Sequence, residues 1–233
     1  MKAVILAGGL GTRLRPYTLF LPKPMLPLGD RPIIEHIIRW LKGKGVREFV
    51  VSIGYMGRVI EDYFGDGSSL GVSMKYVRSD RPMGTAGQLK LVEDLIDGTF
   101  ICVYGDSIFK FDLDEAVRFH KEKGCLATIM VKKYVERLKY GLIEFDDGHL
   151  VRSWREKPEI TGFINSGCYL MEPGFLKYIP KGRVFGMDKA FKRALEAGER
   201  IGAFEIEDFM DIGNKDAYKK AYLRYLKELG EIP

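Results

Sequence analysis

The chain has 233 residues, 46% hydrophobic and 30% charged, a length and mix that fit one or two globular domains with a full core and exclude a disordered or fibrous protein. Thirty-seven Lys and Arg against 32 Asp and Glu leave a net charge of +5. That excess is spread along the chain, which argues against a nucleic-acid partner held by bulk charge and leaves small phosphorylated ligands open.

The first half alternates short β-branched runs with helical patterns. Residues 2–6 read as a buried strand, 32–44 as a helix opened by Pro32, and 48–53 as a second strand. Residues 58–64 read as a helix, 72–77 as a strand, 86–96 as a helix and 99–104 as a strand. Asp112 with Glu115 three positions on is a capping-box signature for a helix to about residue 123, followed by a strand over 126–132. Strands alternating with helices predict an α/β fold, a Rossmann-like mixed, mainly parallel sheet flanked by helices. The second half is richer in strand. Residues 142–145 and 150–154, joined by Asp146-Asp147-Gly148, read as a hairpin, and 163–171 as another strand. A helix over 188–197, a strand over 201–206 and a last helix over 215–229 complete the chain. Tyr218, Tyr222, Tyr225 and Leu229 share one face of that helix, as a stripe packed on the core or a seam in a homo-oligomer. With no linker and no repeat, residues 1–233 read as a single domain.

Cys102, Cys125 and Cys168 sit in apolar runs without metal-ligand spacing, so they read as buried free thiols suited to a reducing cytoplasm. The opening MKAVILAGG is too short for a signal peptide or a membrane span, and no later run approaches about 18 apolar residues. No membrane partner is expected. Gln88, Asn165 and Asn214 are the chain's only side-chain amides beside abundant Lys, Arg and Glu, a bias associated with high-temperature proteins. The 27 glycines follow no period and so belong at turns or beside ligands. His36, His120 and His149 fit no triad or zinc pattern and read as surface or packing residues.

The strongest chemical signal is Leu6-Ala7-Gly8-Gly9-Leu10-Gly11-Thr12-Arg13-Leu14-Arg15-Pro16, directly after the first strand. In an open α/β sheet this is where ligands bind. Glycines let backbone N–H groups approach anionic oxygens, and Arg13 and Arg15 add charge. A plain strand-to-helix turn would account for one of these glycines but not for three with two arginines. The dinucleotide fingerprint fails, because Leu14 stands where its third Gly belongs and no acid ends the second strand. The Walker loop fails for lack of Gly-Lys-Ser/Thr. Downstream, Pro22 and Pro24 are expected to hold Lys23 in an extended segment, as a point charge for a phosphoryl group. Asp106, at the end of the run Val103-Tyr104-Gly105, suits Mg²⁺ or the capping of a turn equally well.

These motifs closely resemble the sugar-1-phosphate nucleotidylyltransferases, whose opening signature appears here as LAGGLGTRLRPYT followed by KPM. The resemblance spans the chain from Met1 to the helix after Asp211 and implies the nucleotide-diphospho-sugar transferase fold. It implies a nucleoside triphosphate held by Leu6, Ala7, Gly8, Gly9, Gly11, Thr12, Arg13 and Lys23, with Arg13 on the departing pyrophosphate and Lys23 near the α-phosphate. Pro82, Gly84 and Thr85 belong to the loop that covers the base. VYGD and Phe209-Met210-Asp211-Ile212-Gly213, with Phe209 where the family pattern has Trp, imply that Asp106 and Asp211 hold Mg²⁺. Tyr140-Gly141, Glu156-Lys157-Pro158 and Asn165-Ser166-Gly167 imply the sugar-phosphate side. There Lys157 pairs with the phosphate, Glu156 and Asn165 meet hydroxyls and Gly141 gives close access. Arg13, Lys23, Asp106 and Lys157 are thus the expected catalytic set.

The GTAG form of the base loop looks most like mannose-1-phosphate guanylyltransferases, which implies GTP with mannose-1-phosphate. The alternative is dTTP or UTP with glucose-1-phosphate, although Ser79 stands where thymidylyl relatives have a base-reading Gln. A catalytically silent nucleotide-sugar-binding regulator would lack a metal acid or a lysine, and all four are present. A left-handed β-helix of hexapeptide repeats follows this domain in many relatives and is not expected here.

Overall fold

The computed structural model describes residues 1–228 and 230. β1 (Lys2–Ala7) is an apolar run with no alternation, the pattern of a strand covered on both faces. Ala3, Ile5 and Ala7 enter the core on one side of it, and Val4 and Leu6 the core on the other. Single 3₁₀ turns follow at Thr12–Leu14, Tyr17–Leu19 and Lys23–Met25, then a short ribbon of β2 (Pro27–Leu28) and β3 (Arg31–Pro32). α1 (Ile33–Gly43) begins behind an extended Pro32 and buries Ile33, Ile34, Ile37, Ile38 and Leu41 along one stripe. β4 (Glu48–Ile53), α2 (Gly57–Phe64), β5 (Ser73–Arg78) and α3 (Gly84–Leu91) come next. They are followed by β6 (Phe100–Tyr104), β7 (Ser107–Lys110) and α4 (Leu113–Glu122). Asp112 caps α4 as predicted, accepting from the N–H groups of Asp114 at 2.9 Å and Glu115 at 3.2 Å. The second half supplies β8 (Ala127–Arg137), β9 (Leu142–Phe145), β10 (Val151–Arg155) and β11 (Glu159–Met171). α5 (Met187–Glu196), β12 (Ile201–Glu205), β13 (Asp208–Asp211) and α6 (Lys215–Glu228) end it.

The main sheet has the order β12-β8-β11-β6-β1-β4-β5. Every adjacent pair is parallel except the two made by β11, so the mainly parallel flanked sheet is borne out. α1, α2 and α4 pack on one face and α3 and α5 on the other. Each aliphatic side chain sealed between the layers contributes about 1.5–3 kcal/mol. β1 is central: the chain leaves it toward β4 and β5, then returns to β6 on its other side. The loops after β1 and β6 therefore diverge, and a crevice opens between them at the carboxyl ends of the strands.

Several elements differ from the sequence reading. The helix expected over 86–96 stops at Leu91 and gives way to a 3₁₀ turn at Glu93–Leu95, because the chain bends to bury Val92 completely. The strands expected over 126–132 and 163–171 run on as a ribbon that pairs Arg137 with Glu159. The interleaved Lys, Glu and Arg of that ribbon hid its strand character. β7 and β13, too short for alternation to reveal, pair antiparallel with Asp211 opposite Ser107. Lys23 is not extended: it opens a 3₁₀ turn, with Pro22 as the extended residue before it and Pro24 inside the first turn, where no N–H is needed. On α6, Tyr218 and Tyr225 pack on the core, Tyr222 is exposed, and Leu229 lies outside the described residues. All three cysteines are buried and free. His120 is buried, between Thr128 at 2.8 Å and Glu172 at 3.1 Å. No described helix is long and apolar enough to cross a membrane.

Candidate active site

The glycine loop leaves β1 at Ala7 and passes into a 3₁₀ turn, so it is not the N-terminus of a long helix. Gly11 sits at φ +62°, and a Cβ there would lie 2.8 Å from the Thr18 methyl carbon; no side chain fits that backbone. The Gly11 carbonyl accepts the Thr18 hydroxyl at 2.8 Å and the Leu14 N–H at 2.9 Å, which pins the loop. Thr18 is buried.

A cleft of about 400 Å³ runs along this loop. Of the residues expected from sequence, it brings together Gly8, Gly9, Gly11, Thr12, Arg13, Lys23, Pro82, Gly84, Thr85 and Asp106. Leu6 and Ala7 line a smaller hollow of about 110 Å³ that shares Gly9, Lys23, Thr85, Gln88 and Asp106 with the cleft. One wall of the cleft is fixed by α3. Its first residue, Gly84, has φ +71° and would place a Cβ 2.5 Å from the Phe185 carbonyl oxygen. The Gly87 N–H donates to that same oxygen at 3.1 Å, and the Thr85 hydroxyl accepts the Met187 N–H at 2.9 Å.

Asp106 follows β6, and the β7–β13 pair delivers Asp211 beside it; the Ile212 N–H donates to the Asp106 carbonyl at 3.1 Å. Lys23 forms an ion pair with Asp106, their side chains 11% and 24% exposed. Burial pushes the Asp211 carboxyl above the usual range and the charge of Asp106 adds to this, against the pull of Lys23 and Arg13. Two carboxylates that repel one another in a partly dry site are a donor set that suits Mg²⁺, which takes one or two carboxylates and completes its shell with phosphate oxygens and water. Among the described residues no group of three or more His, Cys, Asp or Glu could hold a metal on protein ligands alone. The pair therefore fits an ion that arrives with a phosphorylated ligand.

The residues expected on the sugar side do not line this cleft. Gly141, Glu156 and Lys157 gather at the hairpin end of the β8–β11 ribbon. A Cβ on Gly141 would meet Trp154 Nε1 at 2.8 Å and Glu156 Oε2 at 3.0 Å. Lys157, at φ +45°, faces Glu156 across 4.0 Å, both well exposed. Asn165 connects back toward the cleft. Its Nδ2 donates to the Tyr169 hydroxyl at 2.7 Å, which donates to the Tyr104 hydroxyl at 3.1 Å, and Tyr104 lines the smaller hollow. Asn165 Oδ1 accepts the Gly167 N–H at 2.9 Å, so each end of its amide is engaged within the protein.

Sequence reasoning missed Gln88, which donates nothing to the motifs yet accepts the Gly8 N–H at 2.8 Å from inside the cleft wall. The signal available was its rarity: it is the chain's one glutamine.

UTP--glucose-1-phosphate uridylyltransferase of Synechocystis sp. is 34% identical over 95% of this chain and 62% of its own length. Mannose-1-phosphate guanylyltransferase 1 of Arabidopsis thaliana is 37% identical over 98% of this chain and 66% of its own. The chain thus spans less than two thirds of the length of either relative. A crystal structure assigned as a glucose-1-phosphate thymidylyltransferase of Bacillus anthracis superposes with a TM-score of 0.79 at 26% identity, covering 97% of this chain and 95% of that one. A model of the nucleotidyl transferase family matches residues 2–228, from the first residue of β1 to the last of α6. The glycine loop, the segment Pro82–Thr85, Asp106 and Asp211 all lie within that match, and the chain belongs to the nucleotidyl transferase family.

Proposed function

We propose that this chain joins a nucleoside triphosphate to a sugar-1-phosphate, releasing pyrophosphate and a nucleotide-sugar. The observation that carries this reading is the convergence of the glycine loop, Arg13, Lys23 and Asp106 on one cleft, with Asp211 close enough to feel the charges of Asp106, Lys23 and Arg13. GTP with mannose-1-phosphate is the preferred pair, and dTTP or UTP with glucose-1-phosphate the second. The relatives' names divide between guanylyl, uridylyl and thymidylyl transfer.

An oxygen of the sugar phosphate attacks the α-phosphorus. The new P–O bond forms as the bond to the β-phosphate bridging oxygen breaks, and pyrophosphate leaves with that electron pair. The attacking phosphate is ionised near neutral pH, so no protein base or nucleophile is needed. Burial pushes the Cys102 and Cys168 thiols up, and both ring nitrogens of His120 are occupied. The protein's work is to align two anions and offset the charge that gathers between them, and alignment alone is worth up to about 7–11 kcal/mol of barrier. The loop N–H groups and Arg13 take the β- and γ-phosphates. Lys23 exchanges Asp106 for the α-phosphate. Glu156, Lys157, Gly141 and Asn165 serve the sugar phosphate from the ribbon. Mg²⁺ held by Asp106 and Asp211 would supply further positive charge toward the phosphate oxygens.

Pyrophosphate release from a panel of nucleoside triphosphates and sugar-1-phosphates tests the reading. Release is expected with at least one pair and only when Mg²⁺ is present; no release with any pair would sink it.

A further inference from the structure

Gln88 stands on α3 one turn after Gly84, is 8% exposed and lines both the cleft and the hollow beside it. Its Oε1 accepts the Gly8 N–H at 2.8 Å. Only the oxygen end of a carboxamide can face a backbone N–H, so this bond decides which way the amide points. The residue is tethered from behind as well, because its main-chain carbonyl accepts the hydroxyl of fully buried Ser52 at 3.2 Å. Nε2 has no partner among the described residues. None of their side-chain nitrogen or oxygen atoms is both sealed from solvent and unpaired, so Nε2 opens to solvent, and the solvent beside Gln88 is the cleft.

A nine-tenths buried amide with its oxygen locked and its amino group free is a fixed donor aimed at whatever occupies the cleft. The segment Pro82–Thr85, which leads into the same helix, lines the cleft beside it. Ser79, which stands where thymidylyl relatives have a base-reading Gln, is otherwise engaged: its hydroxyl donates to the Arg81 carbonyl at 2.7 Å within its own turn. We infer that Gln88 is a base-reading residue, holding the glycine loop through Oε1 and donating from Nε2 to an exocyclic carbonyl oxygen of the nucleobase. Guanine, uracil and thymine carry a carbonyl where adenine and cytosine carry an amino group. An amino group set against Nε2 would leave two donors facing each other, each deprived of an acceptor. This inference rests on the nucleotidyl transfer reading and gives it a selection rule, carbonyl bases over amino bases.

The test is equilibrium binding of GTP, UTP, dTTP, ATP and CTP, each with Mg²⁺ and without sugar phosphate, to the full chain by calorimetry. The native sequence is compared with Gln88→Glu and Gln88→Met. Glutamate keeps an oxygen for the Gly8 N–H and puts an acceptor where Nε2 stood; methionine keeps the volume and removes both groups. The native chain is expected to prefer its best carbonyl base over ATP and CTP by about tenfold or more. Gln88→Glu should cut that ratio by about tenfold, and Gln88→Met should erase it without strengthening ATP or CTP. Variants that weaken all five nucleotides by one common factor make Gln88 a structural residue and overturn the inference while the transferase reading stands. A native chain that binds no nucleotide overturns both.

Discussion

Lys23 and Asp106 form an ion pair in which neither side chain is well exposed. Removing one member of such a pair usually costs several kcal/mol, because the other is left charged and poorly solvated. Asp106→Asn is a milder change, since the amide oxygen can still accept from Lys23 and the like charge that pushes up Asp211 disappears. The two effects oppose one another. Asp106→Asn is therefore expected to abolish turnover while its melting temperature stays within a few degrees of the parent, checked by pyrophosphate release and thermal unfolding of one preparation. Full activity would remove Asp106 from the site.

At the scale of elements, one wall of the cleft depends on the first turn of α3. Gly84→Ala would force a side chain onto φ +71° and push a methyl to 2.5 Å from the Phe185 carbonyl. It should cost about 1–3 kcal/mol of stability, measured by denaturant unfolding, and should weaken nucleotide binding more than sugar-phosphate binding. Elements of this kind were largely legible from sequence. Apolar runs marked β1, β4 and β6, and the order of motifs placed the glycine loop and Asp106 on one edge. What escaped was carried by tertiary pairing. β7 and β13 are four residues each and exist because they pair with one another, so the family motifs put Asp211 with Asp106 while no alternation in either segment showed the strands that bring them together. Gln88 escaped because its role depends on Gly8, 80 positions earlier. Lys23 was placed on the wrong backbone, since Pro24 suits the first turn of a 3₁₀ helix as readily as it suits an extended segment.

At the scale of the whole molecule, the proposed function puts the two substrates on different parts. The residues proposed for the triphosphate lie at the end of β1 and on the loop and turns that follow it, whereas Gly141, Glu156 and Lys157 ride on the ribbon and hairpin beyond the packed core. Because Lys157 is exposed and its ion-pair partner is the equally exposed Glu156, 4.0 Å away, Lys157→Ala should leave thermal stability and nucleotide affinity unchanged and raise the KM for the sugar phosphate by about tenfold to a hundredfold, the worth of one charge-assisted hydrogen bond. Steady-state kinetics with each substrate varied in turn separates these effects.

β11 belongs to both parts. From Cys168 to Met171 it is clamped against β6, and from Glu159 to Asn165 it is half of the ribbon. Between them the ladder to β8 skips register, and Gly167 sits at φ +80° with the Tyr104 ring where a Cβ would be. A strand bends most easily where its ladder is broken. Residues 166–167 thus act as the fulcrum of a lever: a tilt of about 5° there would swing Lys157, about ten residues or some 30 Å of extended chain away, through about 2–3 Å, while Cys168–Met171 stay clamped to β6.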